Sequence, residues 1–175
     1  MRRPDWRGID SFNALSDTQA VHALYACCSS RMWAIRVAAA RPFADEDALL
    51  DQSDLILAEL TEADLDEALD GHPRIGERST NASSAREQRN VTGADPAVLE
   101  ELRLANKEYE QRFGHVYLVH ADGRPAGELL RILRQRLHND PDTERRVLRL
   151  ELAKITRMRL SRMICPAAQL AEDAG

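Results

Sequence analysis

Residues 95–114 read DPAVLEELRLANKEYEQRFG, and this stretch carries the clearest fold signal in the chain. Asp95 is a favourable helix N-cap, and Pro96 suits the first helical position because the N–H it lacks would have no helical partner there. Apolar side chains then recur at helical spacing up to Gly114, at Leu99, Leu102, Ala105 and Tyr109. The stretch therefore predicts an amphipathic helix that buries one face in a protein core.

The rest of the chain repeats this pattern of capped helices. Polar residues that can begin a helix stand at Ser16, Ser30, Asp45, Thr61 and Ser84. A long last helix is expected from about Asp142 to Ile164, and the only β-like run lies between Val116 and Val119. We therefore predict a single compact all-α multi-helix domain over residues 1–175, with a core at about 8–165, frayed termini and at most one very short extended segment.

Charge is distributed unevenly along the chain. The net charge of −5 argues against general nucleic-acid binding. Residues 45–70 contain many acids and no Lys or Arg, whereas residues 124–162 contain eleven Lys and Arg against five Asp and Glu. Two interpretations stay open: solvated helix faces of opposite sign, or a basic wall that faces an anionic ligand.

Cysteine usage and hydropathy favour a cytoplasmic protein without a membrane partner. The three cysteines, Cys27, Cys28 and Cys165, form no spaced framework, and an odd number with an adjacent pair suits a reducing compartment. No apolar run approaches membrane-spanning length, and the first residues contain no apolar signal-peptide core. No histidine pair has metal-ligand spacing, so we expect no metal site, and no phosphate-binding or dinucleotide-binding glycine motif occurs.

His72 is the strongest candidate for proton chemistry. It follows Gly71, where a helix is expected to end, and Pro73 restricts His72 to an extended backbone. Imidazole is the side chain most easily poised to move protons near neutral pH. The alternative is a histidine that packs on the helix C-terminus and bonds its free carbonyl groups.

Glu87 and Gln88 follow Ser84 in the pattern Ser-x-x-Glu-Gln. One interpretation is a capping box, in which Ser84 is the N-cap and Glu87 reaches back to its amide. The other is a carboxylate, favoured in its ionised form by the nearby helix N-terminus, that holds His72 as imidazolium. The two interpretations are compatible, and Gln88 adds an amide that can donate and accept hydrogen bonds.

Arg159 falls within the apolar stripe of the last helix. At 100° per residue it shares a face with Leu148, Leu152 and Ile155. Such an arginine either snorkels to solvent or meets an anion, because an unpaired buried charge is costly. The second possibility makes Arg159 a fork that grips a carboxylate.

These residues resemble those of the 2-oxo-4-hydroxy-4-carboxy-5-ureidoimidazoline (OHCU) decarboxylases, enzymes of urate breakdown. The resemblance spans nearly the whole chain. Its most specific part is the ordered set HPRIG at 72–76, SAREQ at 84–88, FG at 113–114 and RL at 159–160. Weaker matches are FN at 12–13, CCSSRMWA at 27–34, RPF at 41–43, NKEYEQR at 106–112 and ELAKITRM at 151–158.

The resemblance implies an all-α homodimer that needs no cofactor and converts OHCU to (S)-allantoin and CO2. It makes His72 and Glu87 the proton-handling pair. It implies substrate contacts in the segment after Phe113-Gly114, where main-chain groups are expected to serve, and at Pro73, Ser84, Gln88, Val119 and Arg159. The chain departs from many relatives where His115-Val116-Tyr117 replaces an aromatic-Pro-aromatic run.

The arginine-rich end of the chain motivates an alternative of another class. A non-enzymatic helical adaptor could dock its basic C-terminal helix on an acidic partner or on RNA. Few aromatic residues stand among these arginines to stack on bases, and the net charge is negative. The sequence therefore favours the enzyme, which is expected to bind no nucleic acid.

Overall fold

Ten helices make up the regular structure in a computed structural model that describes residues 8–77 and 79–165. They are α1 (Gly8–Asn13), α2 (Asp17–Cys28), α3 (Arg31–Ala39), α4 (Glu46–Ala58), α5 (Glu62–Asp70), α6 (Ala82–Glu87), α7 (Arg89–Thr92), α8 (Pro96–Phe113), α9 (Ala126–Arg136) and α10 (Pro141–Ile164). The described residues contain no strand, and 116–119 is irregular. The all-α prediction is confirmed, while the expected fraying of the termini concerns residues outside those described.

Most of the predicted helix starts are confirmed. At each, a side-chain oxygen accepts a backbone N–H from the first turn, as seen at Ser16, Ser30, Asp45, Thr61 and Asp95. Gly114 ends α8 with a φ of 78°, a left-handed conformation that glycine adopts without strain. Sequence did not predict α1 or the four-residue α7, whose first turn has no side-chain cap.

The prediction that Ser84 begins a helix is wrong. Asn81 is the N-cap of α6, and its Oδ1 accepts the N–H groups of Ser83 and Ser84 at 2.9 and 3.3 Å. Both residue types are good caps, and the chain uses the earlier one. Glu87 is consequently the last residue of α6, so it forms no capping box with Ser84 and does not lie in the first turn of that helix.

The chain divides into two compact units, and the boundaries fall within α5 and α10. Among the described residues, unit 1 comprises 8–65 and 153–165. In it α3 packs between α2 and α4. The motif residues Asn13 and Phe43 hold each other through two hydrogen bonds of 2.8 and 2.9 Å between the Asn13 amide and the Phe43 backbone. This part of the family pattern is therefore structural.

Unit 2 comprises residues 66–152 and contains most of the predicted site. Helices α8 and α9 pack together around one apolar cluster. Its fully buried members include Val91, Leu102, Tyr109, Leu129 and Leu133. The apolar face of α8 predicted from residues 95–114 supplies several of these side chains. The helix face predicted to be buried is therefore the one that packs in the core.

The acidic and basic stretches pair locally. Arg157 contacts Asp54 at 2.5 Å within unit 1, and Arg145 contacts Asp66 at 3.0 Å within unit 2. The acidic partners are solvent-accessible, so each pair contributes little to stability. No helix in the described part of the chain is both long enough and apolar enough to cross a bilayer.

Candidate active site

His72 lies just beyond α5 and is 6% exposed. Its backbone N–H donates to Leu69 O at 3.0 Å, and its ring Nδ1 lies 2.6 Å from Ala68 O. A carbonyl oxygen only accepts, so Nδ1 carries a proton in either charge state of the ring. Nε2 is therefore the ring nitrogen that can gain or lose a proton. The ring does bond a free helix carbonyl, and that bond leaves it a defined tautomer for acid–base chemistry.

The loop that follows His72-Pro73 is held by two buried amides. Gln88 Oε1 accepts the Gly76 N–H at 2.9 Å, and Gln88 Nε2 donates to Arg74 O at 3.3 Å. Asn106 Nδ2 donates to Ile75 O at 2.9 Å. Three successive loop residues are thus fixed to α6 and α8, which restrains the backbone that presents His72.

Gly76 makes the sharp turn of this loop possible. Its φ of 93° is a conformation that other residues rarely adopt, and an added Cβ would lie 3.3 Å from Leu102 Cδ2. On the exposed side, Arg74 grips the Glu110 carboxylate with two hydrogen bonds of 2.5 and 3.0 Å. A cleft of about 530 Å³ opens here between the loop and α8, but none of the predicted site residues lines it.

Helix α6 carries a buried polar face. Ser84 and Glu87 are three residues apart and lie on the same side of the helix, with 2% and 7% exposure. Gln88 continues this face and links it to the loop after His72. The arrangement places an imidazole, a hydroxyl, a carboxylate and an amide on elements joined by direct hydrogen bonds.

The segment after Phe113-Gly114 is buried around Val119. The Tyr117 hydroxyl donates to Leu129 O at 3.1 Å. The His115 ring stacks on Phe113, with centroids 6.0 Å apart, and meets Tyr109 edge-on. Half-burial lowers the pKa of His115, which favours the neutral ring. An aromatic cluster of His115, Phe113 and Tyr109 thus stands at this point of the chain.

Arg159 belongs to unit 1 and is buried, so the snorkelling alternative is wrong. The apolar residues predicted to share its face are buried as well. Its Nη1 donates to Cys27 O at 3.4 Å. The other predicted site residues, His72, Pro73, Ser84, Glu87, Gln88 and Val119, belong to unit 2.

Sequence reasoning missed several supporting groups in this region. The Ala68 carbonyl and the Asn106 amide hold His72 and its loop, and Arg136 and Glu151 contact the segment around Val119. A signal existed for Arg136, because it falls among the leucines of α9 as Arg159 does on α10. Within residues 8–77 and 79–165, no group of three or more His, Cys, Asp or Glu is placed to hold a metal ion.

Comparisons with known proteins agree with this picture. The family model "OHCU decarboxylase" matches residues 13–161. The chain is 28% identical over 155 residues to "Uric acid degradation bifunctional protein TTL" of Arabidopsis thaliana, and 28% identical over 161 residues to "Uric acid degradation bifunctional protein PucL" of Bacillus subtilis (strain 168). These alignments cover 84% and 89% of the chain but only 48% and 32% of the relatives, so the chain spans about half their length or less.

Two solved structures share the fold. The "Crystal structure of OHCU decarboxylase in the presence of (S)-allantoin" superposes with a TM-score of 0.73 at 24% identity, covering 86% of this chain and 99% of that one. The "Crystal structure of (S)-allantoin synthase" gives a TM-score of 0.69 at 17% identity, covering 90% of this chain and 54% of that one. These structures show the fold, and the family-model match over residues 13–161 shows that this chain belongs to the OHCU decarboxylase family.

Proposed function

We propose that this chain decarboxylates OHCU to (S)-allantoin and CO2 without a cofactor. The observation that carries the proposal is the buried His72, whose ring is fixed through Nδ1 and whose loop is anchored to α6 and α8, in a chain that matches the family model over residues 13–161. Such fixed geometry suits a proton-transfer group, because reacting atoms must be held within hydrogen-bond reach.

The substrate itself supplies the electron sink. Its carboxylate lies on a hydroxyl-bearing carbon beside a ring C=N bond. When the carbon–carboxylate bond breaks, CO2 leaves, the electron pair forms a C=C bond, and the C=N electrons move to nitrogen, which takes up a proton. The resulting enol loses its hydroxyl proton as the C=O bond forms, and the neighbouring carbon gains a proton on one face. The net change is the loss of CO2 and the uptake of one proton.

In this proposal His72 Nε2 accepts the hydroxyl proton. Since Ala68 O already orients the ring at Nδ1, the role left to Glu87 is to stabilise the imidazolium charge or to exchange protons with the substrate. The substrate is contacted by Pro73, Ser84, Gln88 and the main-chain groups at Val119. Arg159 orients its anionic groups through a guanidinium fork.

The test uses OHCU generated in situ from urate and follows optical activity as allantoin appears. His72→Ala should abolish the acceleration while circular dichroism shows the fold intact. The control His22→Ala removes an exposed histidine of α2 and should leave the rate unchanged. Near-normal turnover by the His72 variant would refute the assignment.

Arg159→Lys tests the fork separately, because it keeps the charge and loses the paired donors. We expect a large loss of activity, whereas Arg157→Lys, at a partly exposed pair with Asp54, should have little effect. An unchanged rate in the Arg159 variant would remove this residue from the proposed site.

We further propose that the protein acts as a cytoplasmic homodimer. The support for the compartment is that the three cysteines, two of them buried and adjacent in sequence, form no disulfide in the part of the chain that the structure describes. The support for the dimer is the family resemblance. Light scattering during size-exclusion chromatography tests it, and a monomeric mass at working concentration would refute it.

The adaptor alternative finds no support in the comparisons. Several of its arginines already have acidic partners, among them Arg134 with Glu101 and Arg145 with Asp66. The adaptor alternative would gain support only if the chain bound nucleic acid with an affinity that falls steeply as salt rises, and showed no decarboxylase activity.

A further inference from the structure

Val119 occupies an unusual position in the segment between α8 and α9. The residue is buried, yet among the described residues no hydrogen bond is formed by its own N–H or C=O. Buried main-chain groups are nearly always paired with protein, water or a ligand. The two main-chain groups of Val119 are therefore available to an external partner.

Charged side chains hold the peptide groups on both sides of Val119. Arg136 Nη1 donates to Leu118 O at 2.6 Å, and the His120 N–H donates to Glu151 Oε2 at 2.7 Å. These are charge-assisted hydrogen bonds, which are shorter and stronger than bonds between neutral groups. Arg136 and Glu151 are both more than nine-tenths buried, which limits competition from water.

Because a peptide group is planar, these two contacts set the directions of the Val119 N–H and C=O. In a trans peptide plane the C=O and the next N–H point in opposite directions, and both of these peptides are trans. Leu118 O shares its plane with the Val119 N–H, so Arg136 sets the direction of that N–H. The His120 N–H shares its plane with Val119 O, so Glu151 sets the direction of that carbonyl.

Arg136 is itself held firmly. Its Nε donates to Glu144 at 2.8 Å, and its guanidinium lies 4.8 Å from the ring centroid of Tyr117. Glu144 is fully buried and also accepts from Tyr109 and Asn139. A rigid guanidinium fork with this many partners has a single orientation, so Leu118 O meets a fixed donor.

We propose that Arg136 and Glu151 are positioning residues that aim the Val119 N–H and C=O at the substrate, an inference that rests on the proposed function. They do not touch the substrate. They act through the backbone of 118–120, and the expected signature is a loss of substrate binding rather than of the chemical step.

Four variants separate this role from general stability. Glu151→Leu removes the acceptor for the His120 N–H, and Glu151→Gln retains an oxygen that accepts it. Arg136→Lys keeps a positive charge, but its single nitrogen cannot serve both Glu144 and Leu118 O with the geometry of the fork. Tyr109→Phe is the control, because it removes the hydroxyl that donates to Glu144 and accepts from Arg136 Nη2 at 3.4 Å, and leaves both contacts beside Val119 intact.

Steady-state kinetics with OHCU generated from urate, at a temperature where every variant is folded, give the readout. Glu151→Leu and Arg136→Lys should raise KM by about tenfold or more, with kcat within about threefold of the unmodified chain, because they weaken binding without removing a reacting group. Glu151→Gln should restore KM to within about threefold, and Tyr109→Phe should leave KM unchanged while lowering the melting temperature.

The outcomes are distinct. Unchanged KM in both Glu151→Leu and Arg136→Lys would overturn the inference, as would an equal rise in KM in Tyr109→Phe. An unmodified chain that fails to accelerate OHCU decay would refute the proposed function and, with it, this inference. An active chain with unaffected variants would refute the inference alone.

Discussion

Replacing Gln88 by Leu tests how the loop after His72 is held. The change removes two hydrogen bonds, from the Gly76 N–H and to Arg74 O, and substitutes an apolar side chain of similar size. Arg74 and Gly76 are exposed, so water can satisfy the freed backbone groups and the full desolvation penalty does not apply. Each bond then contributes about 0.5–1.5 kcal/mol, which gives about 1–3 kcal/mol in total.

Two measurements follow from this magnitude. For a chain of this size, Gln88→Leu should lower the melting temperature by about 2–12 °C, at about 2–4 °C per kcal/mol. Local opening of the loop should also rise, so exchange of the Gly76 amide hydrogen should accelerate about tenfold for every 1.4 kcal/mol lost. Stability and exchange are the better readouts here, because Gln88 is also a proposed substrate contact.

The control is Gln111→Leu, the same change at an exposed position of α8, which should alter stability by no more than about 0.5 kcal/mol. Gln88→Glu gives a second check, because its carboxylate can still accept from Gly76 but would face Arg74 O without a donor. If Gln88→Leu left both the melting temperature and the Gly76 exchange rate unchanged, the loop would not depend on this amide and the reasoning would fail.

Two further predictions concern titratable groups, the buried Glu144 and the half-buried His115. Glu144→Gln removes the countercharge of buried Arg136 and should reduce the free energy of unfolding by about 3–5 kcal/mol in urea titrations, whereas Glu108→Gln on the exposed face of α8 should have almost no effect. Burial lowers the pKa of His115 below its usual 6.5, so the unfolded chain binds this proton more tightly; stability should be fully present above that pH and fall as the pH drops toward the folded pKa. The melting temperature should therefore fall more steeply between about pH 7 and pH 5 for the unmodified chain than for His115→Asn. The same dependence of melting temperature on pH in both proteins would contradict the lowered pKa of His115.

Helix content could be derived from local chemistry. The caps at Ser16, Ser30, Asp45 and Asp95 were predicted and observed, because a cap joins residues only two or three apart in sequence. The same local chemistry failed where two good caps compete. Asn81 and Ser84 are equally plausible from sequence, and only the structure shows that Asn81 accepts the first N–H groups.

The candidate residues could also be found in sequence, but their roles could not be separated there. His72 stood out because Gly71 and Pro73 flank it, and Arg159 stood out because it interrupts an apolar stripe. The burial of Arg159, and the bond from His72 Nδ1 to Ala68 O, depend on how the helices pack and where their ends lie. No pattern of residue types encodes those distances.

By itself, therefore, the sequence determined an all-α chain of the OHCU decarboxylase family, with a histidine, a carboxylate and an arginine as its candidates for chemistry. Tertiary structure alone decided that Gln88 and Asn106 anchor the loop after His72, and that Arg136 and Glu151 fix the peptides on either side of Val119. The physical reason is the distance along the chain over which each kind of interaction acts. Helix propensity, capping and amphipathic spacing act over a few residues, whereas these contacts join groups 12 to 31 residues apart in the chain.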